Sequence, residues 1–172
     1  MSIVVRRAVA ADIVAACELV RHSITELCVL DHLRDESTIA AWLANKTPDN
    51  FASWISSPCH VAIVAESDGD LAGFALLNSA GTVALLYVAP QFRFRGVSKA
   101  LLSSLEEHAV ALGLVKLTLE SSATALPFYQ RCGYLRTGDT VRGFGTTRAY
   151  PLAKALAGPE STRQPARSTA AM

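Results

Sequence analysis

Val83-Ala84-Leu85-Leu86-Tyr87-Val88-Ala89-Pro90-Gln91-Phe92-Arg93-Phe94-Arg95-Gly96-Val97-Ser98-Lys99-Ala100-Leu101-Leu102 decides how the rest of the chain is read. Its first half is a near-continuous apolar run, the pattern of a strand buried on both faces. Pro90 then ends the ladder, because it has no N–H to donate. Beyond Gly96 the apolar residues Val97, Leu101, Leu105, Ala109 and Leu112 fall at helical spacing. The order is therefore strand, basic turn, helix N-terminus. The first N–H groups of a helix have no intrahelical partner and carry partial positive charge. A turn that adds Arg93 and Arg95, with Gly96 allowing close backbone approach, is suited to an anion such as a phosphate.

The pattern Arg93-x-x-Gly96-x-Ser98, following Tyr87-Val88-Ala89-Pro90, resembles the pyrophosphate loop of the GNAT superfamily, the acetyl-CoA-dependent N-acetyltransferases. Ser98 stands where that family has Gly or Ala. A second stretch, Ala125-x-x-Phe128-Tyr129-x-x-Cys132-Gly133-Tyr134, resembles the other signature of the superfamily, with Ser122 at the position usually held by Asn. The resemblance extends over residues 3–155 and the closing Tyr150-Pro151-Leu152-x-Lys154-x-Leu156.

Working outward in both directions, Ile3-Val4-Val5-Arg6 reads as a first strand. A helix follows to about residue 26, with Ile13, Cys17, Val20 and Ile24 on one stripe. The segment 27–33 has no clear period. A second helix is expected over 35–44, and Thr47-Pro48 reads as an N-cap followed by Pro at the first helical position. His60 to Glu66 and Leu71 to Asn78 form a hairpin across Ser67-Asp68-Gly69-Asp70. After the central helix, Val115, Leu117 and Leu119 alternate with polar residues as one strand, and 121–134 holds a short helix. Strands over 134–141 and 146–152 close the domain. The expected fold is α+β: a mixed, mainly antiparallel sheet of about six to seven strands with helices on both faces. The expected domain is 1–156, with a disordered, Pro-, Ser-, Arg- and Ala-rich tail over 157–172.

The resemblance implies acetyl-CoA as co-substrate and an amine, small-molecule or peptide, as acceptor. It assigns the backbones of Leu86, Tyr87 and Val88 to the pantetheine arm. The turn Arg93, Phe94, Arg95, Gly96, Val97, Ser98 and Lys99 would take the pyrophosphate, with Ser122 and Phe128 also beside the cofactor. Tyr129 matches the tyrosine that lies by the CoA sulfur, either as general acid or packed on the pantetheine. A phenol of pKa about 10 can donate to a departing thiolate of about 8.5 if prealigned. An amine with pKa about 10 must lose a proton before or during attack, so a base or relay is needed. The strand Thr82-Val83-Ala84-Leu85 offers no carboxylate. Glu120, at the end of the next strand, is the candidate base. Glu26, Asp31 and His32 stand near the segment that walls the acceptor pocket in the family, and together suggest an acidic entrance. Trp42 and Trp54 are candidates to line that pocket, but their helical spacing favours core packing for both.

Composition narrows the alternatives. Apolar residues make up 51% and charged residues 18%, a globular balance. A net charge of +1 argues against a dedicated nucleic-acid binder. No apolar run reaches the ~18 residues of a membrane span, and no signal-peptide pattern opens the chain, so the expected location is cytoplasmic. Cys17, Cys28, Cys59 and Cys132 are scattered without a C-x-x-C pair, which argues against a metal site and a disulfide framework. A CoA-binding sensor that has lost turnover is the alternative from another class. A homodimer is compatible with the family, though no residue pattern specifies one.

Overall fold

The computed structural model describes residues 2–158, so the tail expected from 157 lies, past Gly158, outside the described residues. β1 (Ile3–Arg7) leads through a 3-10 turn at Ala10–Asp12 into α1 (Ile13–Leu27). Asp12 is buried at that junction because its carboxylate accepts from the Arg6 guanidinium at 2.8 and 3.0 Å and from the Val9 N–H at 2.8 Å. The guanidinium holds the Asp12 carboxyl below the usual carboxylate range. Next come α2 (Val29–His32), α3 (Glu36–Leu43) and α4 (Pro48–Ser56). Asp35 lies just outside α3 as its N-cap, its side chain accepting from the Thr38 N–H, so the helix starts one residue later than its sequence suggests. Thr47 caps α4 as expected, accepting from Asn50 with Pro48 at the first helical position. The unperiodic segment 27–33 contains the single helical turn of α2.

β2 (His60–Ser67), β3 (Asp70–Asn78) and β4 (Val83–Val88) form an antiparallel meander, with β1 added outside β2. α5 (Val97–Ala111) returns across one face of this sheet to β5 (Lys116–Ser121). Then follow α6 (Leu126–Arg131), β6 (Leu135–Arg136), β7 (Val141–Arg142) and β8 (Arg148–Ala155). β8 pairs antiparallel with β5 on one edge and with β6 and β7 on the other. The fold is thus mixed α+β with eight strands in two sheets. The strand expected over 134–141 is broken into β6 and β7. Thr137 still donates to the Pro151 carbonyl at 3.1 Å, but Pro151 has no N–H to return, and Gly138-Asp139 turn away. Val115 also departs from expectation: it is exposed before β5 begins, while Leu117 and Leu119 are buried.

The two sheets touch at one parallel bridge, between Thr82 and Thr118. There Thr118 donates its N–H to Gly81 O at 2.9 Å, and the two threonine hydroxyls lie 3.3 Å apart. Beyond this bridge β4 and β5 are unpaired, which leaves the outer edge of β4 open from Ala84 onward. On one face of the first sheet, Phe74 lies 5.0 Å from the ring of Phe51 in α4. On the other, Gly73 lets α5 sit against the strand. A methyl group on Gly73 would come within 2.8 Å of Leu101 Cδ1 and 3.0 Å of Val97 Cγ1 and the Tyr87 carbonyl. α5 is fixed to the second sheet by Glu106, which accepts from Lys154 Nζ at 2.9 and 3.0 Å and from the buried Tyr134 hydroxyl at 3.1 Å. Among the described residues, no helix is long and apolar enough to cross a membrane.

Gly73→Ala should destabilise the domain by about 1–3 kcal/mol, the usual cost of overpacking. Urea unfolding is expected to show a lower midpoint at unchanged slope. An unchanged midpoint would mean that α5 does not sit this close.

Candidate functional site

Where β4 and β5 part, a cavity of about 960 Å³ opens between the sheets. Leu86, Tyr87 and Val88 line it from β4. The register of β3 and β4 slips between Leu76 and Leu77, leaving Ala84 as an extra residue in β4 beside the cavity. On the far side Glu120, Ser121 and Ser122 line it from the end of β5.

The turn entering α5 is shaped by backbone conformation. Phe94 (φ 61°) and Gly96 (φ 84°) both adopt the left-handed region. Gly96 caps the helix, and nothing lies closer than 3.9 Å to where its Cβ would stand, so the requirement for glycine is conformational. No side chain caps this helix and no acidic residue stands in its first turn. The N–H groups of Val97, Ser98 and Lys99 consequently face outward without a carboxylate to satisfy them. Arg93, Phe94, Gly96, Val97, Ser98 and Lys99 all line the cavity, whereas Arg95 does not; its guanidinium lies 5.7 Å from the centre of the Phe92 ring. Phe94 is 90% exposed, with the Arg93 guanidinium 4.6 Å from its ring centre.

α6 brings Phe128 and Tyr129 to the same cavity. Tyr129 is only 6% exposed, held between Phe128 and Tyr134 at ring separations of 5.1 and 5.6 Å. Burial raises its pKa, so it remains a phenol at neutral pH, and its hydroxyl has no hydrogen-bond partner among the described residues. Ser122 Oγ accepts from the Ala125 N–H at 3.1 Å, capping the turn into α6 while keeping its own proton to donate. Glu120 is exposed and is the one carboxylate among the described residues that line the cavity. Cys28 also lines it, but burial pushes its thiol up to about 12, the opposite of what a nucleophilic thiolate requires.

Glu26, Asp31 and His32, expected near the acceptor entrance, are not among the residues that line the cavity. Glu26 is exposed on α1, with His22 Nε2 4.0 Å from its carboxylate. His32 is 1% exposed; its Nε2–H donates to Ile24 O at 3.1 Å and its Nδ1 accepts from the Arg34 N–H at 3.1 Å. Those two partners assign the neutral Nε2–H tautomer and a structural role. The Asp31 carboxylate accepts from the Ala123 N–H (2.7 Å), the Thr124 N–H (3.1 Å) and the Thr124 hydroxyl (2.6 Å). Asp31 therefore ties α2 to the turn that carries Ser122 into α6.

Among the lining residues outside the expected site, Trp42, Phe144 and Lys46 lie against one another. Trp42 is buried as expected for core, yet it also lines the cavity and donates from Nε1 to the Tyr87 hydroxyl at 3.2 Å. Phe144, in the β7–β8 loop, stacks on Trp42 at 5.7 Å. Lys46 is 2% exposed. Its Nζ donates to Asn45 Oδ1 at 2.5 Å and to Trp42 O at 3.4 Å, and lies 4.8 Å from the centre of the Phe144 ring. Burial pushes the Lys46 ammonium down to about 8. A signal existed: Ile39, Trp42, Leu43 and Lys46 continue one helical stripe, so Lys46 occupies an apolar position.

The sequence pattern of the acetyltransferase (GNAT) domain matches residues 29–154. Among solved structures, a GCN5-related N-acetyltransferase from Rhodopseudomonas palustris is 26% identical. It superposes with a TM-score of 0.81 over 91% of this chain and 97% of its own. The PaiA N-acetyltransferase of Thermoplasma acidophilum, solved with coenzyme A, is 19% identical with a TM-score of 0.74 over 90% of this chain and 99% of its own. The ribosomal-protein-S18-alanine N-acetyltransferase of Escherichia coli is 18% identical with a TM-score of 0.70 over 94% and 98%. The likeness to the last two is one of fold.

Lys46 gives a stability signature with a definite sign. Its folded pKa of about 8 lies below the ordinary lysine value of 10.5, so between these pH values the unfolded chain holds a proton that the folded protein has released. Stability contributed at this position is lowest below pH 8 and rises as the pH climbs through that window. Wild type should therefore gain stability relative to Lys46→Met between pH 7.5 and 10, measured by urea unfolding. A difference that stays flat would place the ammonium in solvent.

Proposed function

Because the chain belongs to the acetyltransferase (GNAT) family, we propose that residues 1–156 move the acetyl group of acetyl-CoA directly to a primary amine, with both substrates bound together. One observation carries this reading: the cleft between β4 and β5 joins an uncapped, carboxylate-free helix N-terminus to an uncommitted buried tyrosine.

The residues present fit the co-substrate. The outward N–H groups of α5, with Arg93 and Lys99, form an anion cradle for a pyrophosphate. The open edge of β4 at Leu86, Tyr87 and Val88 offers backbone groups to the pantetheine amides, as an added strand would. Ser122 can donate its hydroxyl proton, and Phe128 gives apolar contact. Acetyl-CoA supplies an activated thioester. The amine nitrogen bonds to the carbonyl carbon, the carbon–sulfur bond breaks, and the sulfur leaves as thiolate.

Tyr129 donates its proton to that thiolate. The raised pKa makes it a weaker acid but keeps it protonated, and the dry surroundings strengthen a prealigned hydrogen bond. Glu120 receives the proton given up by the amine, directly or through water. No covalent acetyl-enzyme is invoked, since Cys28 is held as a thiol. A CoA-binding sensor on the same fold is the competing reading. It has no use for a buried phenol left without a partner.

Tyr129→Phe should lower kcat by about 10²–10⁴-fold, the range typical of losing a general acid, while leaving the Kd for CoA within twofold. Thiol release against an amine panel and calorimetric titration with CoA read the two effects separately. CoA binding without turnover on any amine would favour the sensor, and absence of CoA binding would remove the reading of residues 86–99.

A further inference from the structure

Lys46 is a buried cation with no countercharge. Lys154, the other half-buried lysine described above, is answered by Glu106, and Arg6 by Asp12 and Glu66. Lys46 has a carbonyl, an amide oxygen and a ring face, and among the described residues no carboxylate. Burying an ammonium without an opposite charge is costly, and a protein keeps such an arrangement where something else completes it.

Among the described residues, the contacts of this ammonium are Trp42, Asn45 and Phe144, and none comes from the turn that enters α5. The Lys46 carbonyl is held by Cys17 Sγ at 3.3 Å and by Arg21 at 2.8 Å, both on α1. Lys46 therefore stands beside Trp42 and the Phe144 ring of the β7–β8 loop, in a lining that also includes the apolar side chains of Trp54 and Leu76. Arg93, Lys99, Arg131 and Arg148 are the other cations of the cavity lining, and its one carboxylate among the described residues is Glu120.

Resting on the transfer reading above, we propose that the acceptor amine also carries a carboxylate on an apolar body, as in an amino acid with a hydrophobic side chain, and that Lys46 is the countercharge for that carboxylate. A single ammonium matches a single negative charge. The ion pair forms in a desolvated site, where it is far stronger than in water. An amine lacking the carboxylate leaves Lys46 unpaired, and this gives discrimination by rejection as well as by attraction. The depressed proton affinity of Lys46 is what its surroundings impose before such a ligand arrives.

The test uses matched acceptors that differ only at the carboxylate: phenylalanine and leucine, their amides, and phenethylamine and isopentylamine. With the wild-type chain, kcat/KM by thiol release should be at least tenfold higher for the acids. Lys46→Met should abolish that preference with the Kd for CoA unchanged, and Lys46→Arg should retain part of it. Amides or simple amines used as well as the acids would overturn the proposal while leaving acetyl transfer intact. Should no amine turn over, the transfer reading fails. Calorimetry then decides the present one, by titrating the N-acetylated acids and N-acetylated amides into the CoA-loaded protein. Binding confined to the acids and lost in Lys46→Met supports it, and equal or absent binding overturns it.

Discussion

A single backbone contact between two sheets governs this molecule. β4 and β5 run parallel, yet they meet only where Thr82 faces Thr118, and above that point their edges separate. A parallel pair normally continues its ladder, because unpaired N–H and C=O groups in a protein interior are costly. Here that cost is left open along β4 and is offset by the rest of the fold. Glu106 fastens α5 to the second sheet through Lys154 and Tyr134, so the sheets stay together although their strands do not pair. The gap is a designed absence of pairing, and every element of the candidate site borders it.

The contents of the cleft follow from what each border can offer. β4 contributes backbone, because its outer edge is unpaired from Ala84 onward. The α5 N-terminus contributes an unsatisfied row of donors, and Gly96 contributes the left-handed cap that aims them. α6 contributes one phenol, sealed by its aromatic neighbours. Asp31 sets where α6 begins, by accepting three hydrogen bonds from residues 123 and 124. Arg6 does comparable work at the first sheet, bridging Asp12 and Glu66.

Legibility in the sequence tracked the range of the interaction concerned. The strand, turn and helix over 83–112 were readable because apolar period, Pro90 and Gly96 act within a few residues of themselves. The helix cap at Thr47 acts within three residues and was nearly as clear, whereas Asp35 reads as part of the helix that it caps. Asp31 reads as a solvated loop charge because its partners lie 92 and 93 positions away. The break between β6 and β7 depends on Pro151, whose missing N–H matters only once β8 is paired. Lys46 did stand on an apolar stripe, but a lysine there ordinarily extends its ammonium to water. Only the placement of Phe144, on a distant hairpin loop, shows that it does not.

The arrangement of the two sheets also bears on how the chain acquires its structure. β2, β3 and β4 are joined in sequence by short turns, so the meander closes over the smallest loops and pays the least closure entropy. β5 must find β8 across most of the remaining chain, with α6 and two broken strands between them. Topology thus favours the meander of β2, β3 and β4, which can condense on local contacts while β1 and the second sheet each await a more distant partner. The cleft exists only when both sheets are in place, so the ability to hold a ligand there is acquired after the meander has formed.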